Sequence, residues 1–278
     1  MTKYLQDNTI IEMDQAAVSP LDRGYYFGDG VYEVFRIYNG RLFEVEAHLA
    51  RLVRSCGEIG ISLPYPADEI EGLLLRLAAA DPVETGILYM QITRGCSPRN
   101  HAFPPEGTRA VLTGYCKELP RPLAKFEHGF RVITAPDIRW LRCDIKTLNL
   151  LGNVLAKQEA VSKGADEVIL HRSGIVTECS SSNLMMVKNG VVRTHPANHL
   201  ILHGVTRQAV LRVAGELGVE VAEAAFDLDE LRTADEVFLT GTTTEVMPVV
   251  EIDGVAVKGG LPGPVTRQLH EAFEKLFL

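Results

Sequence analysis

The sequence predicts an α+β protein of two domains, with mixed sheets flanked by helices. Three observations lead there. Strand-like segments outnumber helix-like ones and often follow one another directly, whereas a doubly wound fold would alternate them strictly with helices. A charged stretch with two prolines, Lys117–Lys125 (KELPRPLAK), reads as a linker and divides the chain into residues 1–118, a linker at 119–125 and residues 126–278. With 278 residues, 46% apolar and 23% charged, the chain can bury a substantial core.

Val31–Tyr38 (VYEVFRIY) is β-branched and aromatic, and Asn39-Gly40 is a hairpin turn signal leading into Arg41–Val45. Glu46–Ile59 carries Leu49, Leu52, Val53 and Cys56 at helical spacing, and Asp68–Ala80 repeats the pattern with Ile70, Leu73, Leu74 and Leu77. Ile87–Thr93 and Ala110–Cys116 read as strands. Beyond the linker, Phe130–Thr134 reads as a strand and Thr147–Ser162 as a helix that Gly152 weakens. Short strands follow at Glu167–Leu170, Leu184–Val187 and Val191–Thr194. Thr206–Leu217 is a helix closed by Gly218. Glu236–Thr240 and Val249–Val257 are strands, with a turn at Asp253-Gly254.

Charge and composition exclude several function classes. Lys and Arg number 28 against 36 Asp and Glu, a net charge of −8 with no basic run, which argues against nucleic acid or an anionic membrane as partner. No apolar run is long enough to span a bilayer and the start, MTKYLQDNTI, lacks a signal core, so a cytoplasmic location is expected. Cys56, Cys96, Cys116, Cys143 and Cys179 are scattered, odd in number and form no CxxC, which fits neither a disulfide framework nor a zinc site. His195, His199 and His203 are four apart, but Pro196 and Asn198 interrupt a helix there and no Glu completes HExxH, so no metal is expected. Gly28-Asp29-Gly30 begins like a dinucleotide-binding turn, yet Glu33 stands where the third glycine belongs and a strand follows.

Other segments carry more chemistry. Lys146 lies in IRWLRCDIKTLNLLGN (Ile138–Asn153), between Ile145 and Leu148 and near Arg139 and Arg142. Apolar surroundings and neighbouring cations lower a lysine's pKa and make its amine nucleophilic; a satisfied structural lysine is the competing reading. LHGVTR (Leu202–Arg207) starts a helix with a glycine, a Thr and an Arg, and GTTTE (Gly241–Glu245) follows a strand directly. Both suit an anion such as phosphate, and both suit plain helix capping. ECSSSN (Glu178–Asn183) places a carboxylate before three hydroxyls and an amide, fit for a polar ligand or a turn. In TRGCSPRNH (Thr93–His101), Arg99 and His101 stand on a loop where they can meet a carboxylate or simply be solvated.

Together these segments resemble, in order and spacing over essentially the whole chain, the class-IV aminotransferases, fold-type IV enzymes that use pyridoxal 5′-phosphate. The family signature is visible as Glu178, Ser180, Asn183, Thr194, Leu202, Gly204, Val205 and Arg207. RGYYFGDGVYEVFR (Arg23–Arg36), TRGCSPRNH and RWLRCDIKTLNLLGNVLAKQEA (Arg139–Ala160) are most similar to the D-amino acid aminotransferases within it. The resemblance implies an active site between the two domains, with Lys146 as Schiff-base lysine and proton shuttle. It implies Glu178 against the pyridine nitrogen, and Arg51, Val205, Thr206 and Thr242 on the phosphate. Arg139, Ser180 and Ser181 would support the ring's hydrogen-bond network, and Leu202 would pack on its face.

Tyr32, Arg99 and His101 would hold the carboxylate of the substrate. Because the last two reach the site from the neighbouring subunit in that family, a homodimer is implied. The implied reaction exchanges an amino group between a D-amino acid such as D-alanine and a 2-oxo acid such as 2-oxoglutarate. Branched-chain aminotransferase, (R)-amine transaminase and aminodeoxychorismate lyase activities share the fold and stand as alternatives. Two positions depart from the family pattern. Met185 replaces an aromatic residue, and Gly241 replaces the serine usual in D-amino acid aminotransferases, removing a hydroxyl near the phosphate.

Overall fold

A computed structural model describes residues 2–278 and divides into two compact units. The first runs to Pro120 and also takes in Ile145–Leu150; the second comprises Arg121–Asp144 and Leu151–Leu278.

The first unit opens with a hairpin, β1 (Lys3–Gln6) and β2 (Thr9–Glu12), followed by the short helix α1 (Arg23–Phe27). Next come β3 (Gly30–Tyr38), β4 (Arg41–Leu42), α2 (Val45–Glu58), α3 (Ala67–Ala80), β5 (Gly86–Thr93) and β6 (Val111–Glu118). The six strands form an antiparallel sheet in the order β2-β1-β6-β5-β3-β4. Alternation along β3 turns Val31, Phe35 and Ile37 into a core shared with Leu49 and Leu52 of α2 and Leu73, Leu74 and Leu77 of α3. Glu33 points the same way. The helix α1 has no counterpart in the sequence reading, because five residues give no periodicity. Its signals are local: the Asp22 carboxylate accepts from the Gly24 amide at 2.7 Å, and Gly28 ends it at a φ of +64°.

Ile145–Leu150 folds with the first unit although it lies well beyond the expected linker. The Tyr32 amide donates to the Lys146 carbonyl at 3.0 Å, and the Leu148 amide donates to the Gly30 carbonyl at 3.0 Å. Backbone groups spent on β3 cannot close helical turns, so the helix expected from Thr147 begins only at Leu151. The side chain of Asn149 ties the segment to α1, donating to the Gly28 carbonyl at 2.8 Å.

The second unit begins with α4 (Leu123–His128), β7 (Phe130–Pro136), α5 (Leu151–Ser162), β8 (Glu167–Arg172) and β9 (Ile175–Cys179). It continues with β10 (Asn183–Lys188), β11 (Val191–Thr194), α6 (Val205–Glu216), β12 (Val221–Glu223) and α7 (Leu228–Arg232). It ends with β13 (Glu236–Gly241), β14 (Glu245–Ile252), β15 (Val255–Ala256) and α8 (Pro264–Glu274). Its sheet runs β12-β11-β10-β13-β14-β7-β8-β9, with β15 added to β14. The pairs β14–β7, β7–β8 and β11–β12 are parallel and the rest antiparallel, the mixed arrangement expected of an α+β chain. The stretch expected as one strand over Val249–Val257 is divided between β14 and β15. Asp253 and Gly254 lie between them with φ of +51° and +79°, the pair of left-handed residues that a tight hairpin demands. Among the described residues no helix is long and apolar enough to cross a membrane, and no group of three or more His, Cys, Asp or Glu is placed to hold a metal.

Gly30 clamps the Lys146 segment onto the sheet. A Cβ there would lie 2.6 Å from the Ile92 carbonyl oxygen and 2.8 Å from Leu148 Cδ1. Gly30→Ala should therefore destabilise the protein by about 1–3 kcal/mol, the usual cost of overpacking. Urea denaturation of the two proteins checks this, and equal stability would show that the segment is not clamped at Gly30.

Candidate functional site

In the first unit the site begins with a buried charge. Glu33 is wholly inaccessible on the core face of β3, where strand alternation demands an apolar residue. It is tolerated because α2 delivers two partners one turn apart, His48 and Arg51. Arg51 donates from Nε to Oε1 at 2.8 Å and from Nη2 to Oε2 at 2.7 Å, a bidentate fork, and His48 Nδ1 lies 2.7 Å from Oε2. Burial pushes the Glu33 carboxyl up, but the charge and hydrogen bonds of Arg51 and the bond to His48 outweigh it and hold the group down at about 2. Burial lowers the His48 imidazole, which Glu33 only partly offsets.

Lys146 stands at the other edge of β3. Ile145 and Thr147 beside it are buried, while Lys146 itself is half-buried. Its amide donates to Ser55 Oγ of α2 at 3.3 Å. Its Nζ lies 3.3 Å from Tyr32 Oη and 4.3 Å from the centre of the Tyr32 ring. Tyr32 stacks on Tyr89, which stacks on Tyr115, so the phenol that receives the lysine is held from behind.

Arg99 and His101 are exposed, on the loop after β5. Both pack on Phe27 of α1: the Arg99 guanidinium lies 4.9 Å from the ring centre, and the His101 ring stacks at 5.3 Å. Arg23 gives the loop its shape by donating to the carbonyls of Asn100 and Ala102.

In the second unit the buried acid is Glu178, at the end of β9. Arg139 Nη1 donates to Oε1 at 2.6 Å, while Asn183 Nδ2 and the Leu202 amide donate to Oε2 at 2.9 and 3.0 Å. Arg139 is fixed by a second fork to Asp137, with bonds of 2.9 and 2.8 Å. Burial raises the Glu178 carboxyl above its ordinary range, with the charge and hydrogen bond of Arg139 and the Leu202 amide pulling it back. Ser180 and Ser181 do not touch Glu178. Both hydroxyls donate to Glu167, at 2.5 and 3.2 Å, and Asn153 holds the Ser180 carbonyl.

The start of α6 lies next to these residues. Val205 and Thr206 open α6 behind Gly204, with no side chain capping the helix, so the amides of the first turn point outward without intrahelical partners. Leu202 precedes them, its carbonyl accepting from Asn183, and Asn183 pairs across the sheet with Thr240. Around the following turn at Gly241–Thr244, two buried hydroxyls, Thr240 Oγ1 and Thr244 Oγ1, have no hydrogen-bond partner. Thr242 is partly exposed on that turn. A Cβ at Gly241 would lie 2.6 Å from Thr244 Oγ1, so the serine usual in D-amino acid aminotransferases could enter only by displacing this hydroxyl. Met185 is fully buried on β10 between Thr194 and Phe238 of the adjacent strands, a packing role.

The donors of the two units each suit a part of a phosphorylated aldehyde. Open amides and unpartnered hydroxyls can receive a phosphate, a lysine amine can take up the aldehyde, and a carboxylate can hold a cationic ring nitrogen. Glu33, His48, Asp137 and Glu167 were not found from sequence, although a glutamate on the inward face of an apolar strand is itself a signal.

Comparison with known proteins shows which family the chain is similar to. Residues 30–252 match the family model described as amino-transferase class IV. The D-alanine aminotransferase of Listeria monocytogenes serotype 4b (strain F2365) is 49% identical over 273 residues, covering 98% of this chain and 94% of its own length. That of Staphylococcus aureus (strain MSSA476) is 47% identical over 275 residues, covering 99% and 98%. Among solved structures, the branched-chain amino acid aminotransferase of Escherichia coli superposes with a TM-score of 0.94 at 27% identity, covering 99% of this chain and 94% of that one.

The depressed Glu33 carboxyl fixes the sign of one pH effect. A carboxyl lowered from 4.5 to about 2 contributes stability that is complete above pH 4.5 and is lost as the pH falls toward 2. Glu33→Gln leaves Arg51 buried with half its fork and should cost ~3–5 kcal/mol at neutral pH. It should also flatten the fall in stability over that acid window. Urea titrations at stepped pH measure both, and an unchanged acid limb would show that the pair adds nothing to folding.

Proposed function

The chain belongs to the class IV aminotransferase family, and on that premise we propose that it exchanges amino groups between D-amino acids, such as D-alanine, and 2-oxo acids, such as 2-oxoglutarate, with pyridoxal 5′-phosphate as cofactor. The observation that carries the reading is the Lys146 amine held at the Tyr32 hydroxyl and ring. The relatives named D-alanine aminotransferase are nearly half identical to this chain, whereas the branched-chain structure is under a third identical, which favours the D-amino acid reaction.

When bound, pyridoxal phosphate supplies an aldehyde that takes up amines and a ring that draws electron density from the substrate's Cα. Lys146 would hold the cofactor through Nζ, then remove the Cα proton and return it. Tyr32 keeps Nζ in place for both transfers. Glu178, aimed by Arg139, Asn183 and the Leu202 amide, would hold the ring nitrogen protonated. Arg51, the open amides of Val205 and Thr206, and Thr242 would bind the phosphate. Leu202 would cover the ring, while Ser180 and Ser181, through Glu167, keep the β9–β10 turn in shape.

Tyr32, Arg99 and His101 would receive the substrate carboxylate. Arg99 and His101 are exposed and so open to a neighbouring copy, which supports the reading of a homodimer with shared sites. All five cysteines are free, which suits a reducing cytoplasm.

Three measurements test the reading. Purified protein should be yellow and should transaminate D-alanine with 2-oxoglutarate far faster than L-leucine; the reverse preference would make it a branched-chain enzyme. Borohydride should attach the cofactor to the peptide containing Lys146, and Lys146→Ala should abolish turnover. Mixing inactive Lys146→Ala with inactive Arg99→Ala subunits should restore part of the activity, and a fully active monomer would contradict the shared site.

A further inference from the structure

The fork between Glu33 and Arg51 raises a question of charge. Arg51 belongs to the proposed phosphate-binding set, yet its guanidinium is already matched by a buried carboxylate. A negative Glu33 beside a phosphate dianion costs Coulomb energy, so a sequence optimised only for attraction would carry a neutral residue there. Geometry supplies the opposing consideration. Arginine has a long side chain with several rotatable bonds, and holding it in one place is entropically expensive. Glu33 removes that cost before any ligand arrives. Both of its oxygens are engaged, its backbone lies within the β3–β5 pairing, and His48 braces Oε2 from the same helix turn as Arg51. His48 is braced in turn against the Phe35 ring at 4.7 Å. The group is buried throughout, with Glu33 at 0% exposure and His48 at 2%, so no water competes for the fork.

We propose that Glu33, tethered by His48, is a positioning residue that aims the Arg51 guanidinium at the cofactor phosphate. Rigidity outweighs the unfavourable charge because a preorganised donor binds without further loss of freedom. The inference rests on the reading that pyridoxal phosphate is the cofactor.

The test compares pyridoxal phosphate with pyridoxal, which lacks the phosphate, each titrated by absorbance into the full-length apoenzyme. The dissociation constant of pyridoxal divided by that of pyridoxal phosphate isolates the phosphate contribution. Glu33→Gln should reduce that ratio at least about tenfold, the scale of one charge-assisted hydrogen bond, while pyridoxal affinity changes little. Glu33→Asp, which keeps the charge, should recover part of it. In an Arg51→Gln background, Glu33→Gln should cause no further loss. If Glu33→Gln does not fold, His48→Gln carries the test, with a smaller reduction of the same ratio expected.

An unchanged or increased ratio in the folded variant, or a loss that adds to that of Arg51→Gln, would overturn the proposal and leave Glu33 a stabilising partner only. Failure of the wild type to bind either compound would instead sink the cofactor reading.

Discussion

Two buried carboxylates, Glu33 and Glu178, organise this molecule, and each is tolerated because an arginine on another segment reaches it. A carboxylate stripped of water is costly unless its lone pairs are filled, and removing one partner of such a pair strands the other. The surrounding architecture follows from that requirement. β3 and α2 must pack so that the Glu33–Arg51 fork closes, and the loop after β7 must bring Arg139 to β9 with Asp137 behind it. In each unit a pair of opposite charges therefore fixes the side chains and segments around it.

The two acids are nevertheless different. Glu33 is held far below the ordinary carboxyl range, since two cationic or donating partners overcome its burial. Glu178 is pushed upward by burial, which its single guanidinium, shared with Asp137, offsets only in part. A strongly stabilised anion has little further appetite for a proton or a cation, whereas a less stabilised one remains receptive. This contrast suits Glu33 to holding a neighbouring arginine and Glu178 to meeting a protonated nitrogen.

Much of the fold and part of the site were legible in the sequence. The alternation of β3, the helical spacing of α2 and α3, and the glycine after α6 all report local physics that the sequence carries directly. Lys146, Glu178 and the start of α6 stood out because a charge among apolar neighbours, or a glycine before a helix, is chemically conspicuous. What could not be read was long-range. Nothing local says that Lys146 and Leu148 would spend backbone hydrogen bonds on β3 instead of extending α5, or that the Ser180 and Ser181 hydroxyls would turn to Glu167. Nor could the cost of a side chain at Gly241 be judged without knowing that Thr244 fills the space beside it.

The return of Ile145–Leu150 to the first unit also has a bearing on how the chain is made. On a ribosome, residues up to Pro120 emerge well before the segment that completes their sheet contacts, so the first unit must wait incomplete while β7 and the loop behind it are synthesised. During that interval the β3 groups that later receive Lys146 and Leu148 lack these partners. The two units are consequently threaded together in time: neither the order of synthesis nor a cut at the linker would release a finished first half.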